Sequence, residues 1–293
     1  MDLSRQMASA LEMVPVLPRR ILLDTPHVAA TVPMLRGVWG AALHELDGDV
    51  YRTVFAPQAE GGGEAASLYV LRPAPPDPDF APAIEWLSLG AAIASDGMLR
   101  RAWDIASGMG LGRSRQRFHI RRVVRISPDG AANQEEMWGT GTEEPARGWP
   151  LGDAVWPLPD PGNAPCRLVF PVPLRLRRHG RLIEEPTLAD LIVAATRRIG
   201  AYLPAVGRAV WKELSREALE LARATPAGPW RGKRLDLHRY SVSQDAEVDL
   251  HGVAGSLDLP RGPGELWPLL AAAQWLHLGK STVMGLGLMR VEG

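Results

Sequence analysis

One order of segments is read twice along this chain, and it limits the fold more than any other feature. An apolar, β-leaning run from Leu11 to Leu23 comes first, broken by Pro15 and Pro18. Thr31 and Pro33 then mark a helix start. Leu35, Val38, Trp39, Ala42, Leu43 and Leu46 follow at helical spacing and form one buried stripe. Gly48 ends that helix, Tyr51 to Phe55 reads as a short extended piece, and Gln58 to Glu64 as a glycine-rich loop. Ser67 to Arg72 and Ile84 to Ile93 read as strands around a proline-rich turn. A short helix covers Leu99 to Ile105, and a closing strand runs from Arg113 to Arg125.

Residues 128–165, rich in Pro, Gly, Trp and Glu, read as turns and a linker, with a domain boundary near 160. Then the pattern begins again. Cys166 to Leu176 is a strand, and Thr187 opens a helix with Asp190 three residues on, close to a capping box. A second helix, Gly207 to Ala224, is inserted before the strands Leu235 to Ser241 and Glu247 to Leu259, which a turn at Gln244-Asp245 joins. Glu265 to Leu278 is the last helix and Val283 to Val291 the last strand. Each half runs strand, helix, strand, strand, helix, strand, which is the ferredoxin-like order. The expected fold is α+β: two tandem ferredoxin-like (RRM-like, βαββαβ) domains, 1–160 and 161–293, with an inserted helix in the second.

Bulk properties bound the function. Thirty-three basic and 33 acidic residues leave a formal net charge of zero, so any basic site is local. The cations are nearly all arginine, with lysine only at Lys212, Lys233 and Lys280. Cys166 is the single cysteine, which rules out a disulfide and a thiolate zinc cluster. No His, Asp or Glu spacing suggests a metal site, and no cofactor is expected. No apolar run reaches the eighteen or so residues of a membrane span, and the N-terminus lacks a signal-peptide pattern, so a soluble, cytoplasmic chain is expected.

The chemistry concentrates in three stretches. After the last helix, Gly279-Lys280-Ser281-Thr282 offers donors to a phosphate, and Gly285 and Gly287 leave bare backbone that another backbone can approach. The Gly-Lys-Ser sequence is not a P-loop: the position that needs its first glycine holds Gln274, and the segment runs helix to strand. Gly108, Gly110 and Gly112 fail as a dinucleotide fingerprint for the same reason of order. Arg113, Arg115 and Arg117 recur at period two and, with Arg121, fill a stretch that has no acid between Asp104 and Asp129. In the first helix, His44 lies about opposite Leu35 at ~100° per residue, on a face it shares with Gly37 and Gly40. Those glycines fit either an approaching ligand or a closely packed neighbour.

These segments resemble the CRISPR-associated endoribonucleases of the RAMP superfamily, which cut precursor CRISPR RNA within its repeats. The resemblance rests on Met34-Leu35-Arg36-Gly37-Val38-Trp39-Gly40-Ala41-Ala42-Leu43-His44, on Gly110 to Phe118, on Val172 to Gly180, and on His251 to Gly255 continuing through Gly279 to Gly287. The last is the most specific.

The resemblance implies metal-independent cleavage, in which a ribose 2′-hydroxyl attacks the adjacent phosphate. The products are a 2′,3′-cyclic phosphate and a 5′-hydroxyl. It implies His44 as base or acid, Arg36 or Arg52 as charge stabiliser, and Tyr51 as a further candidate; Arg19 and Arg20 are the alternative for members that act through arginines. Lys280, Ser281 and Thr282 would hold phosphates, and the 113–125 stretch with Arg175, Arg177 and Arg178 would flank a repeat hairpin. The implied partners are repeat RNA, the mature crRNA and other effector-complex subunits. The alternative is a non-catalytic RNA-binding RAMP subunit of a CRISPR effector complex.

Overall fold

The structure, a computed structural model, describes residues 2–23, 30–57, 66–74, 83–112, 114–136, 147–154, 160–241 and 246–293, with only the backbone described at 132–136, 238–241 and 246–249. The loop expected at Gln58 to Glu64, residue Arg113 and the turn at Gln244-Asp245 lie outside the described residues. The elements are, in chain order, α1 (Leu3–Leu11), β1 (Pro15–Leu23), α2 (Val32–Leu46), α3 (Gly48–Phe55), β2 (Tyr69–Pro73), β3 (Ala83–Leu89), α4 (Asp96–Met109), β4 (Ile120–Ile126), β5 (Ala132–Glu136) and β6 (Trp149–Pro150). They continue with β7 (Cys166–Leu174), β8 (Arg177–Arg178), β9 (Arg181–Leu182), α5 (Leu188–Gly200), α6 (Ala205–Ala224), β10 (Arg231–Leu235), β11 (His238–Ser241), β12 (Ala246–Asp249), β13 (Gly252–Leu259), α7 (Trp267–Leu276) and β14 (Arg290–Glu292).

The chain divides into two compact units. The N-terminal unit holds Val14–Pro150 and Val283–Gly285; the C-terminal unit holds the stretch up to Met13, Leu151–Thr282 and Leu286–Gly293. The sheet of the first has the order β2-β3-β1-β4-β5, and that of the second β10-β13-β7-β14. In both, the first strand of the unit lies between its third and fourth, and the second sits at the edge. That is the ferredoxin-like arrangement, met twice.

The core of the N-terminal unit is built around Trp39 of α2. Its indole Nε1 donates to the Leu99 carbonyl oxygen at 2.9 Å, and its ring stacks on Trp103 with centroids 4.9 Å apart. Phe55 and Tyr69 meet it edge-on. Rings in these geometries add attraction beyond their buried area. Pro18 sits inside β1 without breaking the sheet. On one side of β1, β6 pairs Pro15 and Val16 and β4 pairs Arg19 onward, so the missing N–H falls in the gap between two partners.

Several expectations need correction. Leu11 does not begin a strand but ends helix α1, which Asp2 caps by accepting from the Arg5 amide. Tyr51 to Phe55 is helical, not extended: Asp47 accepts from the amides of Asp49 and Val50, so Gly48 opens α3 instead of only closing α2. The strand expected from Arg113 to Arg125 begins only at Ile120: Leu111 and Gln116 exchange backbone hydrogen bonds across a tight turn that holds Arg115 at φ 48°, and residues 117–119 are irregular. The period-two reading of its arginines therefore fails. The strands expected at Leu235–Ser241 and Glu247–Leu259 each break in two, giving β10 and β13 in the main sheet and β11–β12 as a separate ribbon. The last strand shrinks to β14, because Gly285 and Gly287 take φ of 81° and 72°. The Thr187–Asp190 capping box is present as expected.

Candidate functional site

In the N-terminal unit, α2 ends at Leu46 and α3 turns back at once through the Asp47 cap. This brings Tyr51 beside His44: the rings meet edge to face, with centroids 5.0 Å apart and planes at 85°. His44 is exposed in the last turn of α2. Tyr51 stacks in turn on Phe55. Gly40 is buried under these rings: a Cβ there would stand 3.0 Å from Phe55 and 3.6 Å from Tyr51. The glycine thus serves a packed neighbour, not an approaching ligand, and its effect is to let α3 lie close enough to carry Tyr51 to His44.

The arginines near this pair are already engaged. Arg36, half-buried, donates from Nε to the Tyr69 hydroxyl at 3.0 Å and lies over the Phe55 ring. Arg52 is exposed and pairs with Asp49 one turn away. Arg19 and Arg20 are structural. Arg19, 1% exposed, forks onto both oxygens of buried Asp96 at 2.8 and 2.6 Å. Glu85 takes Arg20 on one oxygen and Arg72 on the other, linking three adjacent strands. Arg115, Arg117 and Arg121 are exposed, the first on the turn, the second just after it and the third on β4.

In the C-terminal unit, α7 closes on His277, a buried residue at φ 58° whose Nδ1 lies 3.0 Å from the Leu286 carbonyl oxygen. The loop then folds on its own chain. Leu278 and Gly287 are joined by a backbone hydrogen bond of 2.9 Å, and a Cβ at Gly287 would fall 1.9 Å from the Leu278 oxygen. Gly279 bridges to Arg175, and a Cβ there would fall 2.5 Å from the Arg175 oxygen. Gly285 and Gly287 are buried, and the backbone close to Gly287 is that of Leu278. The glycines therefore shape the loop and do not themselves lie open to a ligand.

What the loop turns outward is narrower than the sequence suggests. Lys280 is exposed and Ser281 half-buried; Thr282 is buried, 3% exposed. Arg175, also buried, donates from a terminal nitrogen to the Ser281 hydroxyl oxygen at 2.9 Å, and Arg198 of α5 donates likewise to Thr282 at 2.9 Å. Beyond β7, the hairpin β8–β9 turns at His179-Gly180, both at positive φ, which suits a two-residue hairpin loop. It exposes Arg177, Arg178 and Arg181, of which Arg178 pairs with Asp190.

Residues 168–289 match the model of a family described as CRISPR-associated endoribonuclease Cas6. That stretch of the chain is similar to the Cas6 family. Solved structures agree on the fold across almost the whole chain. Thermus thermophilus Cas6 (TTHB231) superposes with a TM-score of 0.57 at 12% identity, covering 95% of this chain and 98% of that one. A product complex of Cas6 (TTHA0078) gives 0.55 at 21% identity, covering 96% and 100%. No curated protein sequence matches.

Apart from Val283–Gly285, the family match lies in the C-terminal unit, which holds Arg175, the basic hairpin and the loop residues Gly279 to Thr282 and Gly287. The candidate chemical residues His44, Tyr51, Arg36 and Arg52 belong to the N-terminal unit. Two features escaped the sequence reading. Arg198 sits in the last turn of an ordinary amphipathic helix and carries no local sign of its contact with Thr282, 84 positions away. The Asp47 cap escaped it too, although Asp47-Gly48-Asp49 after an apolar stripe carries its signal. Among the described residues, no group of three or more His, Cys, Asp and Glu side chains could hold a metal ion, and no helix is long and apolar enough to cross a membrane.

Proposed function

We propose that this chain cuts precursor CRISPR RNA within its repeats, without a metal, by attack of a ribose 2′-hydroxyl on the adjacent phosphate. The products are a 2′,3′-cyclic phosphate and a 5′-hydroxyl, and the chain keeps the mature crRNA, in company with other effector subunits in the cytoplasm. The carrying observation is the exposed His44 imidazole at the end of α2, with Tyr51 edge-on to it. An imidazole can take a proton from one oxygen and return it to another near neutral pH. Atoms balance with no co-reactant: the 2′-oxygen forms its bond to phosphorus, the 5′-oxygen leaves, and one proton passes from the first to the second. Arg36 and Arg52 are the nearest cations in sequence that could stabilise the phosphorane. Each would have to keep or exchange its present partner, Tyr69 or Asp49.

Phosphates of the repeat hairpin would be held by Lys280 and Ser281 on the glycine loop, by Arg177 and Arg178 on the hairpin, and by Arg115, Arg117 and Arg121. All are exposed except the half-buried Ser281. Arg175, Thr282 and the loop glycines would support Lys280 and Ser281 from beneath. A second reading, a non-catalytic RNA-binding subunit, is favoured by one observation: the engagement of Arg36 and Arg52 leaves His44 with an aromatic neighbour instead of a ready acid–base pair. Incubating the wild-type chain with end-labelled repeat RNA in EDTA separates the two. A single cut with a cyclic-phosphate end supports the enzyme; tight binding without a cut supports the subunit; no specific binding contradicts both.

A further inference from the structure

The base of the glycine loop is held by two guanidinium groups, Arg175 and Arg198, each of which donates to a loop hydroxyl. Arg175 engages two consecutive residues: its carbonyl oxygen accepts from the Lys280 amide at 3.0 Å, and its side chain donates to Ser281. Arg198 donates to Thr282 from the far end of α5. The Arg198 guanidinium also lies over the Tyr202 ring, 5.4 Å from its centroid, which fixes its plane. Among the described residues no carboxylate pairs with Arg198, and its Nε is buried without a partner.

A guanidinium only donates hydrogen bonds. It therefore occupies a lone pair of each hydroxyl and leaves the O–H hydrogen as the group on offer. Ser281 stands at φ 63°, a left-handed conformation that a non-glycine side chain keeps only where its surroundings impose it. Thr282, next in the chain, is buried and pinned by Arg198.

We propose that Arg198 is a positioning residue for RNA binding. Acting through the Thr282 hydroxyl, it holds Ser281 and Lys280 in the one loop conformation that presents an O–H donor and an ammonium to a single phosphodiester group. This rests on the RNA reading above. Arg198 itself touches no phosphate in this account.

The test is binding of labelled repeat RNA, measured over a range of salt, for wild type, Arg198→Ala, Thr282→Val, the double variant and Arg198→Lys. Each of the first two single variants weakens binding by about tenfold, the effect of one lost charge-assisted hydrogen bond. The double variant is no weaker than either single one, because both remove the same contact. The slope of log affinity against log salt stays as in wild type. Arg198→Lys, which can still donate to Thr282, recovers affinity to within about threefold. An additive double variant, or a slope that falls by about 0.7 to 0.9 in Arg198→Ala, would mean direct phosphate contact and overturn the inference. So would wild-type affinity in Thr282→Val, a variant that keeps the test alive if Arg198→Ala fails to fold. A wild-type chain that does not bind repeat RNA would remove the proposed function itself, a different failure from intact binding in the variants.

Discussion

Tyr51 meets the imidazole of His44 edge-on, with ring centroids 5.0 Å apart. The contact exists because Gly40 has no Cβ and Asp47 turns the chain within one residue of the end of α2. Tyr51 thus limits where the ring of His44 can go. Replacing Tyr51 by Ala is expected to slow repeat cleavage by about tenfold through loss of that orientation, whereas Tyr51→Phe keeps the ring and slows it by less than about threefold. Single-turnover rates decide it. A phenylalanine variant as slow as the alanine variant would place the role in the hydroxyl.

Gly287→Ala tests the loop. A methyl group at that position meets the Leu278 carbonyl oxygen, and φ of 72° disfavours any side chain there. The variant is expected to lose repeat-RNA affinity by at least tenfold while the N-terminal unit, which does not contain residue 287, keeps its fold. Titration with labelled RNA, beside near-UV circular dichroism of the tryptophan-rich N-terminal core, gives both readings. Unchanged affinity would show that the loop conformation does not matter to binding.

The two-fold repetition of the fold was legible because both halves carry apolar runs in the same order with turn residues between them. What the pattern could not supply is where long-range partners end a segment. Val283 to Val291 looks like a strand by composition, yet Gly285 and Gly287 break it for the sake of contacts made elsewhere in the chain. Likewise Arg19 and Arg20 read as available cations in a strand. Only the folded chain shows Asp96 and Glu85, 77 and 65 positions away, closing on them. His44 and Lys280 were placed on exposed surface by helical periodicity and loop chemistry, and both are exposed.

The Arg19–Asp96 pair makes a stability prediction. Both side chains are almost wholly buried, at 1% and 3% exposure, with two hydrogen bonds between them. Asp96→Ala would leave the guanidinium buried without its counter-charge, and breaking such a pair costs roughly 3–5 kcal/mol. Urea unfolding is expected to show a loss of that order. A change below about 1 kcal/mol would mean that water reaches Arg19.

Cys166 gives a chemical probe of the C-terminal sheet. Burial pushes its thiol pKa up, and Asp160 adds to the effect, so the folded chain holds its proton beyond the pH at which the unfolded thiol ionises. The thiol therefore contributes stability that is lost as pH rises through the unfolded value, since the unfolded chain then binds fewer protons. Iodoacetamide at pH 8 is expected to label the native protein far more slowly than the urea-unfolded one, and because this is the only cysteine, intact mass reads the result directly. Equal rates would place Cys166 at the surface.

The most direct test of the central claim is a single-turnover cleavage assay of end-labelled repeat RNA in EDTA, with wild type and His44→Ala side by side. The account predicts one cut by wild type with a 2′,3′-cyclic phosphate end, slowed by about 10²- to 10⁴-fold in the variant while RNA affinity stays within a few fold. A variant that cuts at the wild-type rate would contradict the assignment of His44.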